Sequence, residues 1–79
     1  MKDIRDVYGR RIAMRVGDYI VNNSGERMYE IRGNRIVDNY GTLQYEIRGD
    51  RIYDVYGTWQ FELRGDRLYD TSGNWLGRF

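Results

Sequence analysis

The stretch YEIRGDRIYDVYG, residues 45–57, contains the two turn signals that decide the fold. Gly49-Asp50 separates two runs of β-prone residues and predicts a two-residue hairpin turn of type II′, in which glycine supplies the positive φ of the first central position. Asp54-Val55-Tyr56-Gly57 predicts a type I turn, with a local hydrogen bond to the aspartate and a left-handed glycine after it. A near copy, FELRGDRLYDTSG, follows at residues 61–73.

Glycine recurs every eight residues along the chain, and alternate glycines have different neighbours, so the full repeat is sixteen residues long. The glycines assigned to turns are Gly9, Gly17, Gly25, Gly33, Gly41, Gly49, Gly57, Gly65 and Gly73. Strands of about four to six residues remain between them. We therefore predict an all-β fold: an antiparallel β-meander of about ten short strands, built from five 16-residue β-hairpin repeats as a single twisted sheet or barrel-like structure. Residues 1–79 would form one β-hairpin repeat domain.

Apolar residues recur with the same period and predict one apolar face of the sheet. Their columns are Ile4, Ile20, Ile36, Ile52 and Leu68; Tyr29, Tyr45 and Phe61; and Ile31, Ile47 and Leu63. A single sheet cannot bury its own apolar face, so closure into a barrel, folding into two layers or pairing with another copy must cover it. We expect self-association, because 79 residues are few for a two-layer core.

The register of the Asp-x-x-Gly hairpins has two solutions. A four-residue loop pairs Tyr53 with Thr58 and Ile52 with Trp59, and all apolar columns then share one face. A three-residue loop with a glycine bulge pairs Tyr53 with Trp59 and Ile52 with Gln60. Because a shift of one residue moves side chains to the other face, successive hairpins would then place their apolar sets on opposite faces. The turn chemistry favours the bulged form.

The composition argues against most catalytic chemistry. Cysteine and histidine are absent, which removes disulfides, thiolate metal sites and the usual general base. The carboxylates recur with the repeat, so they share like environments and do not form the distinct acid and base that hydrolysis needs. We expect no enzyme activity, no cofactor and no metal site.

The charge and the hydropathy of the chain restrict the classes of partner and the compartment that we expect. The 13 basic and 12 acidic residues leave a net charge of +1, so strong attraction to nucleic acid is not implied. No apolar stretch is long enough to span a membrane, and the N-terminal residues lack the apolar core of a signal peptide. The cytoplasm is the expected compartment.

These observations predict a non-enzymatic structural or interaction protein that forms a homo-oligomer or docks on a protein partner. The alternative is a carbohydrate- or nucleic-acid-binding module that uses a surface of tyrosine, tryptophan and arginine. The same residues also have a purely structural interpretation. The aromatic side chains would pack across strands, and the charged side chains would form ion pairs on the solvated face of the sheet. The candidate contact residues are Trp59, Trp75, Tyr53, Tyr69, Arg48, Arg51, Arg64 and Arg67.

Arg-Gly-Asp at residues 48–50 and 64–66 is the tripeptide that animal cell-adhesion receptors read, which makes an adhesion ligand a remote alternative. The equivalent tripeptides are Arg-Gly-Asn at residues 32–34 and Val-Gly-Asp at residues 16–18. These changes preserve the turn and would abolish the ligand. The tripeptide is therefore better interpreted as the end of one strand followed by a hairpin turn.

The recurring Tyr-Asp-x-x-Gly, at residues 53–57 and 69–73, resembles the YD repeats of bacterial Rhs-type proteins. Those are large surface or toxin-delivery proteins whose hairpins wind into a shell. The chain is more similar to short bacterial proteins of unknown function built from Ile-Tyr-Asp-x-x-Gly units. The resemblance implies a tandem β-hairpin fold and transfers no functional residue.

Overall fold

The computed structural model describes residues 2–79, and these residues form ten antiparallel strands with no helix among them. The strands are β1 (Lys2–Arg5), β2 (Arg11–Val16), β3 (Tyr19–Asn22), β4 (Arg27–Arg32), β5 (Arg35–Asp38), β6 (Leu43–Arg48), β7 (Arg51–Asp54), β8 (Trp59–Arg64), β9 (Arg67–Asp70) and β10 (Trp75–Arg78). The prediction of an all-β antiparallel meander of ten short strands is confirmed.

The sheet closes on itself. Each strand pairs with its neighbours in sequence, and β1 also pairs with β10, so the ten strands form a barrel with extents of 30 × 29 × 19 Å. At the seam, Ile4 lies opposite Gly77. Closure covers the apolar face that an open sheet would expose, and a second copy is not needed for that purpose.

The Gly-Asp turns have the predicted geometry. Arg48 lies opposite Arg51, which leaves Gly49 and Asp50 as a two-residue loop. Gly49 has a φ of 62°, and no residue other than glycine has a positive φ between residues 2 and 79. This pattern fits type II′, because type I′ needs a positive φ at both central positions. The Arg-Gly-Asp tripeptide is thus a hairpin turn.

The Asp-x-x-Gly loops have the bulged form that turn chemistry favours. The Asp54 N–H donates to the Thr58 carbonyl at 2.9 Å, and the Gly57 N–H donates to the Asp54 carbonyl at 3.1 Å. Gly57 has a φ of 80°. Tyr53 consequently lies opposite Trp59, as predicted for the three-residue loop.

The predicted pairing of Ile52 with Gln60 is wrong. The register shifts by one more residue after Trp59, so that Ile52 lies opposite Phe61 and Gln60 is left as an extra residue. The β3–β4 and β5–β6 pairs shift at the equivalent point. The second irregularity cancels the first, and all the apolar columns face the barrel interior. Burying an aromatic ring stabilises the fold by more than one lost ladder hydrogen bond costs, which explains why the bulge persists.

The core contains side chains from every part of the barrel. Its buried members are Ala13, Ile20, Ile31, Ile36, Ile52, Leu68, Leu76 and Phe79. Arg15 occupies the position that Ile31 and Ile47 fill in later repeats. Its guanidinium lies 4.8 Å from the centre of the Phe79 ring and donates to the Phe79 carbonyl at 2.8 Å. A cation–π contact therefore replaces an aliphatic contact at this point of the core.

Gly77 is the one glycine outside the eight-residue series, and it lies at the seam. A Cβ atom at this position would overlap the Asp3 carbonyl oxygen and would lie 3.1 Å from the Arg5 nitrogen. Its φ of 91° is also one that side chains disfavour. Closure thus depends on a residue without a side chain at position 77.

We predict that Gly77→Ala destabilises the protein more than Gly73→Ala. Gly73 has a similar φ of 86°, but a Cβ there would meet nothing within 4 Å. The control therefore shows the conformational cost alone, about 1–2 kcal/mol. Gly77→Ala adds the displacement of the β1 backbone. Urea unfolding of both variants measures the difference, and equal losses of unfolding free energy would contradict the role of Gly77 in closure.

Candidate functional site

The predicted aromatic contacts lie in two rows on the outer face of β7–β10. Tyr53 lies opposite Trp59, and Tyr69 lies opposite Trp75. Both tyrosines also lie opposite a glutamate, Tyr53 opposite Glu46 and Tyr69 opposite Glu62. The structure therefore brings the candidate aromatic residues together in pairs, one pair for each of the last two repeats.

Arginine side chains stack on three of these four rings. Arg48 lies 5.1 Å from the centre of the Tyr53 ring, and Arg64 lies 4.7 Å from the Tyr69 ring. Arg51 lies 4.6 Å from the Trp59 ring. One face of each ring is thus occupied by a cation of the same chain, which reduces the area available for stacking on a sugar or a base.

Most of the candidate arginines also have acidic or cationic neighbours. The Arg48 Nε donates to Glu46 at 2.6 Å, and the Arg64 Nε donates to Glu62 at 2.8 Å. Such exposed pairs each contribute at most about 1 kcal/mol. Arg67 lies opposite Arg64 on one side. These contacts make a solvated ladder of mixed charge, and the prediction that the arginines bind a ligand stays a prediction.

Trp59 and Trp75 occupy the same position in successive repeats but differ in environment. Trp59 is half-buried, and its indole N–H donates to the Phe61 carbonyl at 2.8 Å. Trp75 is 48% exposed and lines a small cleft of about 250 Å³ at the seam, together with Asp3, Arg5 and Arg78. Trp59 therefore belongs to the packing of the barrel, whereas Trp75 leaves an aromatic surface in solvent.

Five loops, four of them Asp-x-x-Gly and one with Asn22 in place of the aspartate, gather at one end of the barrel, which we call the loop end: residues 6–10, 23–26, 39–42, 55–58 and 71–74. Side-chain hydrogen bonds hold each loop. The Asp54 Oδ1 accepts from the backbone N–H groups of Tyr56 and Thr58, both at 2.9 Å, and its Oδ2 accepts from the Gln60 amide at 3.0 Å. These bonds form a closed turn whose conformation does not depend on a ligand.

The same hydrogen bonds change the acidity of the loop aspartates. The backbone N–H groups of Thr42 and Thr58 are the main cause that lowers the pKa of Asp38 and Asp54. The side-chain amide of Asn74 is the main cause that lowers the pKa of Asp70. A general acid needs a raised pKa, so these carboxylates are suited to a structural role as acceptors.

Three tyrosines project from the loop end into solvent. Tyr8 is 81% exposed, Tyr40 is 93% exposed and Tyr56 is 89% exposed. Each precedes the loop glycine, a position that Ser24 and Ser72 fill in the other two repeats. Sequence reasoning grouped Tyr56 with the aromatic residues of the C-terminal half and did not select the three tyrosines as a set. The signal that could have found them is Asp-x-Tyr-Gly, which appears in three of the five repeats.

The barrel interior contains a cavity of about 540 Å³ that opens at the loop end. Val7 and Ile12 line it and are about half exposed, which places the mouth beside them. The other lining residues are Ile4, Arg5, Asp6, Ala13, Ile20, Met28, Tyr29, Ile36, Tyr45, Ile52, Phe61, Leu68, Asp70, Leu76 and Phe79. Sequence reasoning did not find this cavity, because its position depends on closure of the sheet.

The two ends of the barrel differ in charge. Asp6, Arg10 and Glu26 are the charged residues within the loops, and Asp38, Asp54 and Asp70 stand immediately before three of them. The opposite end carries the Gly-Asp turns and the arginines that flank them: Arg32, Arg35, Arg48, Arg51, Arg64 and Arg67. The loop end is therefore an aromatic surface around an apolar opening, and its aspartates accept hydrogen bonds from the loops' own backbone N–H groups.

Residues 2–79 contain no group of three or more histidine, cysteine, aspartate or glutamate side chains arranged to hold a metal ion. The same residues include no helix long and apolar enough to cross a membrane.

Comparison of the chain with protein-family models, with curated proteins and with solved structures finds no match. The resemblance to tandem β-hairpin repeat proteins therefore stays a prediction. Function is inferred from the geometry of the loop end, the outer face and the cavity.

We predict that Trp59→Ala lowers the unfolding free energy by about 2–3 kcal/mol, because it removes a half-buried ring. Trp75→Ala removes a more exposed ring and should cost no more than about 1 kcal/mol. Chemical unfolding of the two variants makes the comparison at matched repeat positions. Equal losses would mean that the seam depends on Trp75 as strongly as the β7–β8 pair depends on Trp59.

We also predict that the loop aspartates link stability to pH. A carboxyl whose folded pKa lies below the ordinary 3.8 contributes stability that is complete above that value and is lost as the pH falls through the lowered pKa. In Asp54→Asn, the acceptor of the two backbone bonds is kept, as at Asn22, where Oδ1 accepts from Ser24 and Glu26 at 2.9 Å.

The unfolding free energy of Asp54→Asn should therefore fall less steeply than that of the wild type as the pH is lowered below about 4. Asp54→Ala serves as the control, because it removes the acceptor and should be less stable than the wild type at neutral pH. Thermal unfolding across this pH range provides the test. Identical slopes for the wild type and Asp54→Asn would show that Asp54 does not contribute to acid unfolding.

Proposed function

We propose that the protein is a non-enzymatic interaction protein whose loop end binds a second copy of the chain. The observation that carries this proposal is the exposure of Tyr8, Tyr40 and Tyr56 on hydrogen-bonded loops around one apolar opening. Tyrosine is enriched at protein interfaces because its ring buries a large area at a low entropic cost and its hydroxyl still makes hydrogen bonds.

The preformed loops favour binding at this end. Each tyrosine lies within a turn whose backbone is held by an aspartate, such as Asp38, which accepts from Tyr40 and Thr42 at 2.9 Å. Little backbone freedom remains to be lost when such a loop contacts a partner. A rigid loop therefore binds more tightly than a flexible one that makes the same contacts.

The charge distribution favours a second copy as the partner. A two-fold interface brings the same surface of both copies together, so any charge on that surface meets its like nearby. The loop end carries Arg10 and Glu26, of opposite sign, and four aspartates whose carboxylates accept hydrogen bonds from their own loops: Asp6, Asp38, Asp54 and Asp70. The opposite end carries six exposed arginines. Contact between two loop ends thus brings fewer like charges together than contact between two arginine-rich ends.

The alternative surfaces are less available. On the outer face, arginines of the same chain stack on Tyr53, Trp59 and Tyr69. In the Arg-Gly-Asp turn, Arg48 donates to Glu46 and would have to leave both this ion pair and the Tyr53 ring to reach a receptor. These contacts support the loop end over carbohydrate binding, nucleic-acid binding and cell adhesion.

We predict that the triple variant Tyr8→Ser/Tyr40→Ser/Tyr56→Ser is monomeric. Serine is the residue of the chain's own second and fifth loops, so folding should be preserved to within about 0.5 kcal/mol. Sedimentation equilibrium over a wide concentration range should give a mass above 9.5 kDa for the wild type and 9.5 kDa for the variant.

The matched control changes the opposite end. Asp50→Asn/Asp66→Asn introduces the residue that Asn34 already places in an equivalent turn, and it should associate like the wild type. A wild type that stays at 9.5 kDa at all concentrations would refute the second copy as partner. A triple variant with the mass of the wild type would show that another face carries the association.

A further inference from the structure

The cavity lies where the chain departs from its own repeat. Tyr29, Tyr45 and Phe61 fill one column of the barrel interior, with edge-to-face contacts at ring-centre distances of 6.4 and 5.9 Å. The same column contains Ala13 in the first repeat and Gly77 in the last. Aromatic rings thus fill one side of the interior, and the side next to β1, β2 and β10 is left open.

A second position that varies between repeats makes the mouth of the cavity apolar. Gln44 and Gln60 stand at equivalent positions of the third and fourth repeats, where their amides donate to loop aspartates at 3.0 Å. The other three repeats place Ile12, Met28 and Leu76 at this position. All three line the cavity. The two glutamines show that the fold also accepts a polar amide at this position.

The opposite end of the cavity is closed. Phe79 lines it, and Arg15 covers the Phe79 ring. Ile31, Ile47 and Leu63 lie nearer the Gly-Asp turns and are not among the described residues that line the cavity. The interior is therefore a site with one entrance, at the loop end.

We propose that this cavity binds a small neutral apolar molecule. Its volume of about 540 Å³ lies in the range of small-molecule sites, roughly 300–1,000 Å³. Water gains little in a space with so few polar partners, and an empty space loses dispersion contacts on every wall. An apolar ligand would restore the dispersion contacts that aromatic rings would make if they stood at Ala13 and Gly77.

The charges at the rim favour a neutral ligand over a fatty acid or another anion. Asp6 and Asp70 lie on the lining and place negative charge beside the entrance. Arg5 is also on the lining, but its guanidinium donates to the Gly9 carbonyl at 2.7 Å and to Asp3 at 3.1 Å. The cation that could receive an anionic head group is thus already engaged within the chain.

The test is a fluorescence titration of the full chain with N-phenyl-1-naphthylamine, a neutral dye that brightens in apolar sites. The wild type should bind one dye per chain in a saturable manner. Ala13→Phe restores the aromatic residue of the repeat and should weaken binding at least about tenfold, because the ring occupies the cavity. Val16→Arg restores the residue of Arg32 and Arg48 at the opposite end and should leave the affinity unchanged.

The absence of saturable binding in both the wild type and the triple tyrosine-to-serine variant overturns the proposal, and so does an Ala13→Phe variant that binds as tightly as the wild type. If Ala13→Phe does not unfold cooperatively, and so is not properly folded, the double variant Ile12→Gln/Met28→Gln provides the test of the proposal. These changes place the amides of Gln44 and Gln60 at the mouth and should weaken binding at least about threefold. Unchanged affinity in that double variant overturns the proposal.

The entrance of the cavity lies within the surface proposed to bind a second copy, so a second copy would compete with the dye. The described lining of the cavity includes none of the three exposed tyrosines, so the monomeric triple tyrosine-to-serine variant should bind the dye at least as tightly as the wild type. A monomeric wild type that binds the dye would overturn the proposed interface alone. A triple variant that fails to bind the dye would overturn the proposed ligand alone, whatever the mass of the wild type.

Discussion

The reversal of chain direction every eight residues depends on glycine with a positive φ. In both turn classes the strand ends meet only if one residue adopts a left-handed conformation, as Gly49 and Gly57 do. Each reversal also sets the register of the next strand and thereby the face that each side chain occupies. The arginine ladder, the exposed tyrosines and the interior cavity all follow from this spacing, because each consists of residues at a constant distance from a glycine.

The bulged loops would place successive hairpins on opposite faces if the local turn geometry acted alone. The second shift, which leaves Gln60 as an extra residue, returns Phe61 to the interior opposite Ile52. Local turn chemistry thus determines the loop, and the hydrophobic effect determines the strand that follows it. The extra residue, Gln60, also stabilises the loop, because its side-chain amide donates to Asp54.

Strands, turns and apolar columns were predictable from the sequence, because each depends on residues that are close along the chain. The second register shift was not predictable, and closure could be given only as one of three ways to cover the apolar face, since both depend on burial summed over all ten strands. Gly77 illustrates the limit: its place outside the glycine series is visible in the sequence, but its contact with Asp3 exists only in the closed barrel. The exposed tyrosines can be read from the sequence, but their clustering at one end of the barrel follows only from the arrangement of the loops in the structure.

Some of the residues that differ between repeats are required for closure of the barrel, and others are not. Closure accounts for Gly77, whose position leaves no room for a side chain. Closure does not require apolar residues at Ile12 and Met28, which lie at the mouth. Gln44 and Gln60 occupy the equivalent position in other repeats and show that an amide is compatible with the strand. An apolar mouth exposes Ile12 to water at a cost in free energy, and folding of the barrel does not recover that cost. A ligand or a second copy of the chain that covers the mouth would recover it, so the apolar residues at these two positions are explained by binding at the loop end and not by folding of the barrel.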